Sequence, residues 1–332
     1  MQDQVSPQIK SSAPRIPRKT EVVILMCTYN GQNFLREQLD SIEHQTFEDW
    51  RVIVSDDGST DLTLNILKTY RERWGAPKLE IRTGPKKGFC RNFLSLICDT
   101  SIEARYFALS DQDDVWLPKK LELALKFFKK QKQKQKQKQK QKQKPELYAG
   151  RTNYVTKDLK FIQMSDLFTY PASFRNAIVQ SIGGGNTMMF NRSLRDEMAA
   201  IGCVKVVSHD WWLYIVCEAL GGVTYYDKTP AIQYRQHENS LIGSNVGLLA
   251  KLRRLKLLLR GYLRKWVGEH ILALKSIEPR MSKETHFTYR HFASLRNQSV
   301  IRRIKMIEGL SLYRQTWDGM VALYLAAILK KF

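Results

Sequence analysis

From Glu21 onward the chain alternates two kinds of hydrophobic pattern. "EVVILMC" is a continuous apolar run, as a strand buried on both faces requires. "FLREQLDSIEHQ" follows with Phe34, Leu35, Leu39 and Ile42 at helical spacing. The alternation repeats: "WRVIVSD" reads as a strand and "DLTLNILKTYRERW" as a helix, with Ser59 and Thr60 as capping-type residues ahead of it. "KLEIRTG" and "GFCRNFLSLICD" form the third pair. "RYFALSD" is the fourth strand, and "KKLELALKFF" is the fourth helix, with Pro118 near its start. This order predicts an α/β fold with a mostly parallel central sheet flanked by helices and right-handed crossovers. Ligands in such sheets bind beyond the carboxyl ends of the strands. The loops there are Thr28–Gly31, Asp56–Ser59 and Asp111–Trp116.

Past residue 130 the pattern breaks into a Gln-Lys repeat over residues 131–144, which has no apolar face and reads as a solvated helical extension or a disordered insertion. Beyond it, "ELYAGRTNYV" is strand-like, "RSLRDEMAAI" and "HDWWLYIVCEAL" are helical, and "GVTYYDKTPAIQYRQH" reads as a pair of strands. From Leu248 the character changes again: "LLAKLRRLKLLLRGYLRKWV" interleaves Leu with Lys and Arg. Two readings stand for this basic amphipathic stretch and the helices after it. They either pack on the core with a solvated basic face or lie on an anionic lipid surface. The organisation expected is a flexible tail over 1–20, a main domain over 21–247 and a basic helical region over 248–332.

Charge sharpens this picture. The chain carries 54 Lys and Arg against 32 Asp and Glu, a formal +22. Without the seven lysines of the repeat the balance is still +15, so an anionic partner is implied by the whole chain. Nucleic acid, an anionic membrane and a phosphorylated substrate all qualify. No aromatics interleave the repeat, which argues against a nucleic-acid arm. Five cysteines, odd in number and without a CxxC, argue against a disulfide framework or a zinc ribbon and fit a reducing cytoplasm. The N-terminus lacks the apolar stretch of a secretory signal. The longest apolar run, "MVALYLAAIL", is about half of the ~20 residues a spanning helix needs.

Against that basic background, three carboxylates crowd the end of the fourth strand in "ALSDQDDVW". Hard divalent cations take oxygen ligands, and Mg²⁺ commonly uses one or two protein carboxylates plus phosphate oxygens. Asp111 and Asp113 could therefore serve a metal and a sugar hydroxyl or metal-bound water. An EF-hand fails, because Trp116 stands where its glycine belongs and Pro118 intrudes. Asp114 reads as a helix cap or a supporting acid. In "VSDDGSTD", Asp56 and Asp57 can accept hydrogen bonds from a base N–H or from ribose hydroxyls. Thr28, Tyr29 and Asn30 in "CTYNG" stand where a base or ribose could be clasped. No G-x-G-x-x-G and no GxxxxGK[ST] is present, so hydride transfer and P-loop phosphoryl transfer lose support.

These motifs, in this order at strand ends, resemble the family 2 glycosyltransferases of the GT-A type over about residues 21–243. "SHDWWLYIV" and "YRQHENSLIG" resemble the rhamnosyltransferase-like branch. The resemblance implies a GT-A fold with a helical C-terminal extension. It also implies inverting transfer of a sugar, rhamnose among the candidates, by direct displacement. The donor would be a dTDP- or UDP-linked sugar with Mg²⁺ or Mn²⁺, and the acceptor a lipid-linked saccharide of a surface polysaccharide. By the same resemblance Thr28, Tyr29, Asn30, Asp56, Asp57, Arg91 and Asp111 would hold the donor nucleotide, and Asp113 the metal. Asp210 would be the base, with N-capping of its helix as the alternative reading of the residue. His209, Trp211, Trp212, Gly184, Gly185, Asn186 and Arg235 would line the sugar and acceptor pocket. His237 matches a metal or diphosphate contact. The location implied is cytoplasmic, with peripheral contact on the inner face of the membrane through the basic C-terminal helices. A nucleotidyltransferase or diphosphate hydrolase on a similar fold is the alternative enzyme. A basic nucleic-acid or membrane-binding module is the alternative outside enzymes.

Overall fold

The structure, a computed structural model, describes residues 20–137, 143–236 and 260–332. The expected tail up to residue 19, the middle of the Gln-Lys tract, His237 and the basic stretch 248–259 lie outside the described residues.

The expected alternation is present. Strands β1 (Val22–Thr28), β2 (Trp50–Asp56), β3 (Leu79–Thr83) and β4 (Tyr106–Ser110) alternate with helices α1 (Leu35–Glu43), α2 (Thr63–Trp74), α3 (Phe89–Ile97) and α4 (Lys120–Gln137). β1 is parallel to β2 and β4, and β2 is parallel to β3. The continuous apolar runs have the reason the pattern implied. Every residue of β1 is buried, and alternate side chains enter different cores. Val23, Leu25 and Cys27 face one core, while Val22, Ile24 and Met26 face the other.

The later strands complete the sheet differently. β6 (Glu146–Gly150), β9 (Met189–Asn191) and β10 (Val223–Asp227) extend it in the order β10-β6-β9-β4-β1-β2-β3. β9 runs antiparallel to both of its neighbours. A second sheet, not anticipated from the sequence, has the order β5-β11-β7-β8. Its strands are β5 (Val115–Trp116), β7 (Asn153–Val155), β8 (Phe161–Met164) and β11 (Ile232–Arg235). The two strands expected in residues 222–237 are present, but they do not pair with each other: β10 joins the large sheet and β11 the small one. Strands of two to four residues are too short to show a period of their own, and tertiary pairing decides where they go.

α5 (Phe174–Ala177), α6 (Arg192–Ile201) and α7 (His209–Ala219) cover one face of the sheet, and α7 is buried on nearly every side. The C-terminal helices are α8 (Tyr262–Leu274), α9 (Lys283–Ser294), α10 (Val300–Gly309) and α11 (Trp317–Ile328). Leu274, Phe292, Ile307 and Leu323 from these helices share one apolar cluster with β1 and α7. The described C-terminal helices therefore pack on the core. α4 continues into the Gln-Lys tract as far as Gln137, as an exposed helical extension.

Candidate active site

The site forms where β1, β2 and β4 end, and the chain closes it with reciprocal hydrogen bonds. Asp56, at the end of β2, is buried. It accepts from Thr28 Oγ1 (2.8 Å), Ser59 Oγ (2.6 Å) and the backbone N–H groups of Gly58 (3.1 Å) and Ser59 (2.8 Å). Asp57 accepts with one oxygen from Lys86 N (2.6 Å) and with the other from Gly88 N (2.8 Å), which ties down the loop after β3. Asn30 adopts a left-handed φ of 48°, a conformation an Asn tolerates. Its N–H donates to Ser59 Oγ (2.9 Å) and its side-chain oxygen accepts from Thr60 N (2.9 Å). Ser59 and Thr60 thus build this loop and do not cap α2. Asp61, just ahead of α2, accepts from Thr63 N at 3.0 Å.

Sequence reasoning missed Gln112, the residue between the two acids of "DQD". Its amide donates to Tyr29 O (3.0 Å) and accepts from Tyr29 N (2.9 Å), locking the loop after β1 to the loop after β4. A Cβ on Gly31 would lie 2.3 Å from Gln112 Oε1, so the glycine is what admits this amide. The only available signal was position, since a polar residue between two acids carries no signature of its own. Tyr29 itself remains largely exposed.

Asp111 is partly buried, and no donor pairs with its carboxylate among the described residues. Burial, and then the nearby carboxylates of Asp113 and Asp210, push it up to about 8. Asp114 lies fully buried behind them. It accepts from Asn186 Nδ2 (2.5 Å) and Arg235 N (3.2 Å), while burial first and its acidic neighbours second raise it well above the usual range. It caps no helix and supports the loop. Asn186, expected to line a sugar pocket, spends its amide on Asp114.

Arg235 is likewise turned inward. Its Nε donates to Asp113 O (2.9 Å), its Nη1 to Lys157 O and its Nη2 to Glu37 (2.5 Å), with the guanidinium 4.5 Å over the Phe34 ring. It is 2% exposed, so the structure makes it a clamp beneath Asp113 and not a pocket-facing cation. Lys120 sits over the Trp116 ring at 3.5 Å, and burial lowers it to about 7 against the pull of Asp114.

On the opposite side, Asp210 opens α7. Its two oxygens accept from Gly185 N (3.1 Å) and Trp211 N (2.7 Å). His209 is buried, its ring stacked on Phe93 at 4.0 Å, and neither ring nitrogen finds a partner among the described residues. Burial lowers it to about 4 despite Asp210, so it is neutral at pH 7. A Cβ on Gly185 would stand 2.5 Å from His209 Nε2. The close approach this glycine permits is therefore to a protein ring. Gly184 similarly abuts Asn186 Oδ1.

The tryptophans are corrected from pocket lining to core. Trp212 is completely enclosed, and Trp211 donates its indole N–H to Ala177 O at 2.7 Å. Arg91 donates to Cys203 O, on the side of α3 that meets the segment before α7.

The donor set around Asp111 and Asp113 is oxygen only and suits a hard divalent cation. Among the described residues no three such side chains stand close enough to cage one. A cation would thus be held by one or two carboxylates, with diphosphate oxygens completing its shell. No helix among the described residues is long and apolar enough to cross a membrane.

Comparison with known proteins agrees with this arrangement. The family model "Glycosyl transferase family 2" matches residues 23–197, from β1 through most of α6. A dTDP-rhamnosyl transferase RfbG of Shigella flexneri is 30% identical over 75% of this chain and 84% of its own length. An uncharacterized glycosyltransferase of Haemophilus influenzae is 33% identical over 33% of each chain. Among solved structures, S. aureus TarS 1-349 in complex with UDP-GlcNAc superposes with a TM-score of 0.55 at 14% identity. The match covers 94% of this chain and 89% of that one, and it supports the GT-A fold. Acid loops at the ends of β2 and β4, on a sheet of this order and within a matching family model, mean that the chain belongs to glycosyl transferase family 2, as a rhamnosyltransferase-like glycosyltransferase.

Proposed function

We propose that this enzyme transfers a hexosyl group, with inversion, from a nucleoside-diphosphate sugar to a lipid-linked saccharide destined for a surface polysaccharide. A dTDP-linked rhamnose is the first donor to test, given the Shigella relative. The observation that carries the reading is the convergence of Asp111, Asp113 and Asp210, from the end of β4 and the start of α7, at the carboxyl end of the sheet.

In this reading the Asp56–Ser59 loop and Thr28–Asn30 receive the nucleoside, and Asp111 faces its ribose or the sugar. Asp113 holds the cation. A bound Mg²⁺ or Mn²⁺ would neutralise charge on the departing diphosphate. Asp210 takes the proton of the attacking acceptor hydroxyl. The Gly185 and Trp211 N–H groups fix its carboxylate in one orientation, which general-base catalysis requires. The enzyme would work on the inner face of the cytoplasmic membrane, in peripheral contact with it.

Asp210→Asn tests the assignment. Donor binding, measured by calorimetry, is expected to stay within about twofold, while transfer falls about 10²–10⁴-fold. Undiminished turnover would remove Asp210 from the role. Release of free diphosphate in place of sugar transfer would favour nucleotidyl transfer.

A further inference from the structure

α11 does not behave as a helix of its composition should. Its sequence, "WDGMVALYLAAI", is apolar around most of its circumference, the pattern of a helix enclosed by protein or lipid. Yet only Leu323, Ala326 and Ala327 are buried. Trp317 is 82% exposed, and Val321, Ile328 and Leu329 are also open to solvent. Single exposed apolar residues need no explanation, but a contiguous set does.

Two sets of hydrogen bonds extend this face beyond the helix. At its C-terminal end, Arg303 of α10 donates to Ala327 O (2.5 Å) and Ile328 O (3.3 Å), which sets the start of α10 beside the end of α11; Val300 and Ile301, at that start, are exposed. At its N-terminal end, the Gln315 amide donates to Tyr170 O (2.9 Å) and accepts from Tyr170 N (3.0 Å). Tyr170 is exposed, and it leads back to Phe161 and Met164 of β8, an exposed edge strand. Exposed apolar side chains thus stand on β8, at Tyr170, along the outer side of α11 and at the start of α10. The Tyr170 end adjoins α7, the helix that Asp210 opens, because Tyr214 Oη accepts from Ser173 N at 3.1 Å.

Charge selects the occupant. Arg302 and Lys305 lie on α10 and Lys330 and Lys331 directly follow α11, with Glu308 and Asp318 as the acids on the same two helices. Over residues 260–332 there are fourteen Lys and Arg against five Asp and Glu. A second copy of a +22 chain would be repelled, and so would the chain's own segment 248–259, which has four basic residues and no acid. Exposed Trp and Tyr among aliphatics, with Lys and Arg nearby in the chain, suit the interface of an anionic bilayer.

We propose that the surface formed by β8, the Tyr170 loop, the start of α10 and the outer side of α11 docks on an anionic lipid bilayer. This rests on the peripheral-membrane reading above and adds to it the face that makes contact. Docked this way, the enzyme would turn the α7 side of its site toward a saccharide emerging from the membrane.

The test is co-sedimentation of the full chain with two kinds of vesicle, one of equal parts phosphatidylglycerol and phosphatidylcholine, the other of phosphatidylcholine alone. The protein should sediment with the first and not with the second. Trp317→Ser/Ile328→Ser should lower partitioning at least about tenfold, from the apolar area it withdraws. Lys330→Glu/Lys331→Glu should lower it severalfold, and more at low salt. Donor hydrolysis, measured without vesicles, should stay unchanged in both variants, so that loss of docking is read separately from the transferase assignment. If the first variant fails to fold, as seen by circular dichroism, the lysine variant and the wild-type vesicle comparison still decide. Wild-type protein left in the supernatant would overturn the proposal. So would variants that sediment as the wild type does, or a dimer of the wild type that the apolar substitutions dissolve.

Discussion

Asp56 and Asp57 end β2, and Asp111 and Asp113 follow β4, on either side of β1. The two pairs are the same residue type in equivalent places, and their surroundings differ. Asp56 accepts from four donors and Asp57 from two, all supplied by the chain itself. Asp111 has carboxylates for neighbours and is pushed up to about 8. A carboxylate saturated with N–H and O–H donors fixes a loop. One crowded by like charge in a partly buried site is unfavourable as it stands, and binding of a cation relieves it. In the proposed reading, the first loop would present a surface to the nucleoside and the second would hold the charge that the chemistry needs.

The contrast is most directly broken at Asp113. Asp113→Ala should lower transfer about 10³-fold or more and abolish its response to added Mn²⁺, because the several kcal/mol that a cation supplies to the leaving group is lost. Steady-state transfer with and without Mn²⁺ checks this, and near-normal metal-dependent rates would place the cation elsewhere. Asp57→Ala acts on the other side of the comparison. It leaves the Lys86 and Gly88 N–H groups without their acceptor, so the fold should lose about 3 kcal/mol, measured by urea unfolding. A stability loss no larger than that of Asp113→Ala would erase the distinction between the loops.

The smallest effect is on pH dependence. Asp111 is raised from 3.8 to about 8, so the folded state holds its proton more tightly than the unfolded state does. Its contribution is thus favourable below about pH 4 and is lost as pH rises toward about 8. A cation that binds the ionised form should offset this. The Tm increase on adding Mn²⁺ should be greater at pH 8 than at pH 5, by a few degrees. Equal increases at both values would mean that the cation and Asp111 do not share a site.

Long elements were legible before the structure. The apolar runs of β1, β2 and β4 and the helical spacing of α1 to α3 carry enough residues for their periods to show. Acids placed directly after such strands pointed to the carboxyl-end site. Legibility failed where one residue's role is set by a partner far along the chain. Arg235 looked like a lining of the sugar and acceptor pocket, since an Arg in a polar run gives no sign that Glu37 and the Asp113 carbonyl lie beside it. Trp212 looked like an acceptor contact beside Asp210, but α7 is enclosed on nearly all sides and turns that ring into the core. Gln112 gave no signal beyond its position between two acids.

By itself, then, the sequence determined the alternation of strands and helices, the end of the sheet where the candidate site lies, and which acids stand there. These follow from local periodicity and chain direction, which neighbouring residues encode together. The tertiary structure decided which acids are satisfied and which are crowded, and which glycines make room for His209 and for Gln112. It also decided that α11 would leave an apolar side open beside basic residues. Most of these depend on donors, rings and charges brought from 24 to 198 positions away, where only the packed chain sets the distance.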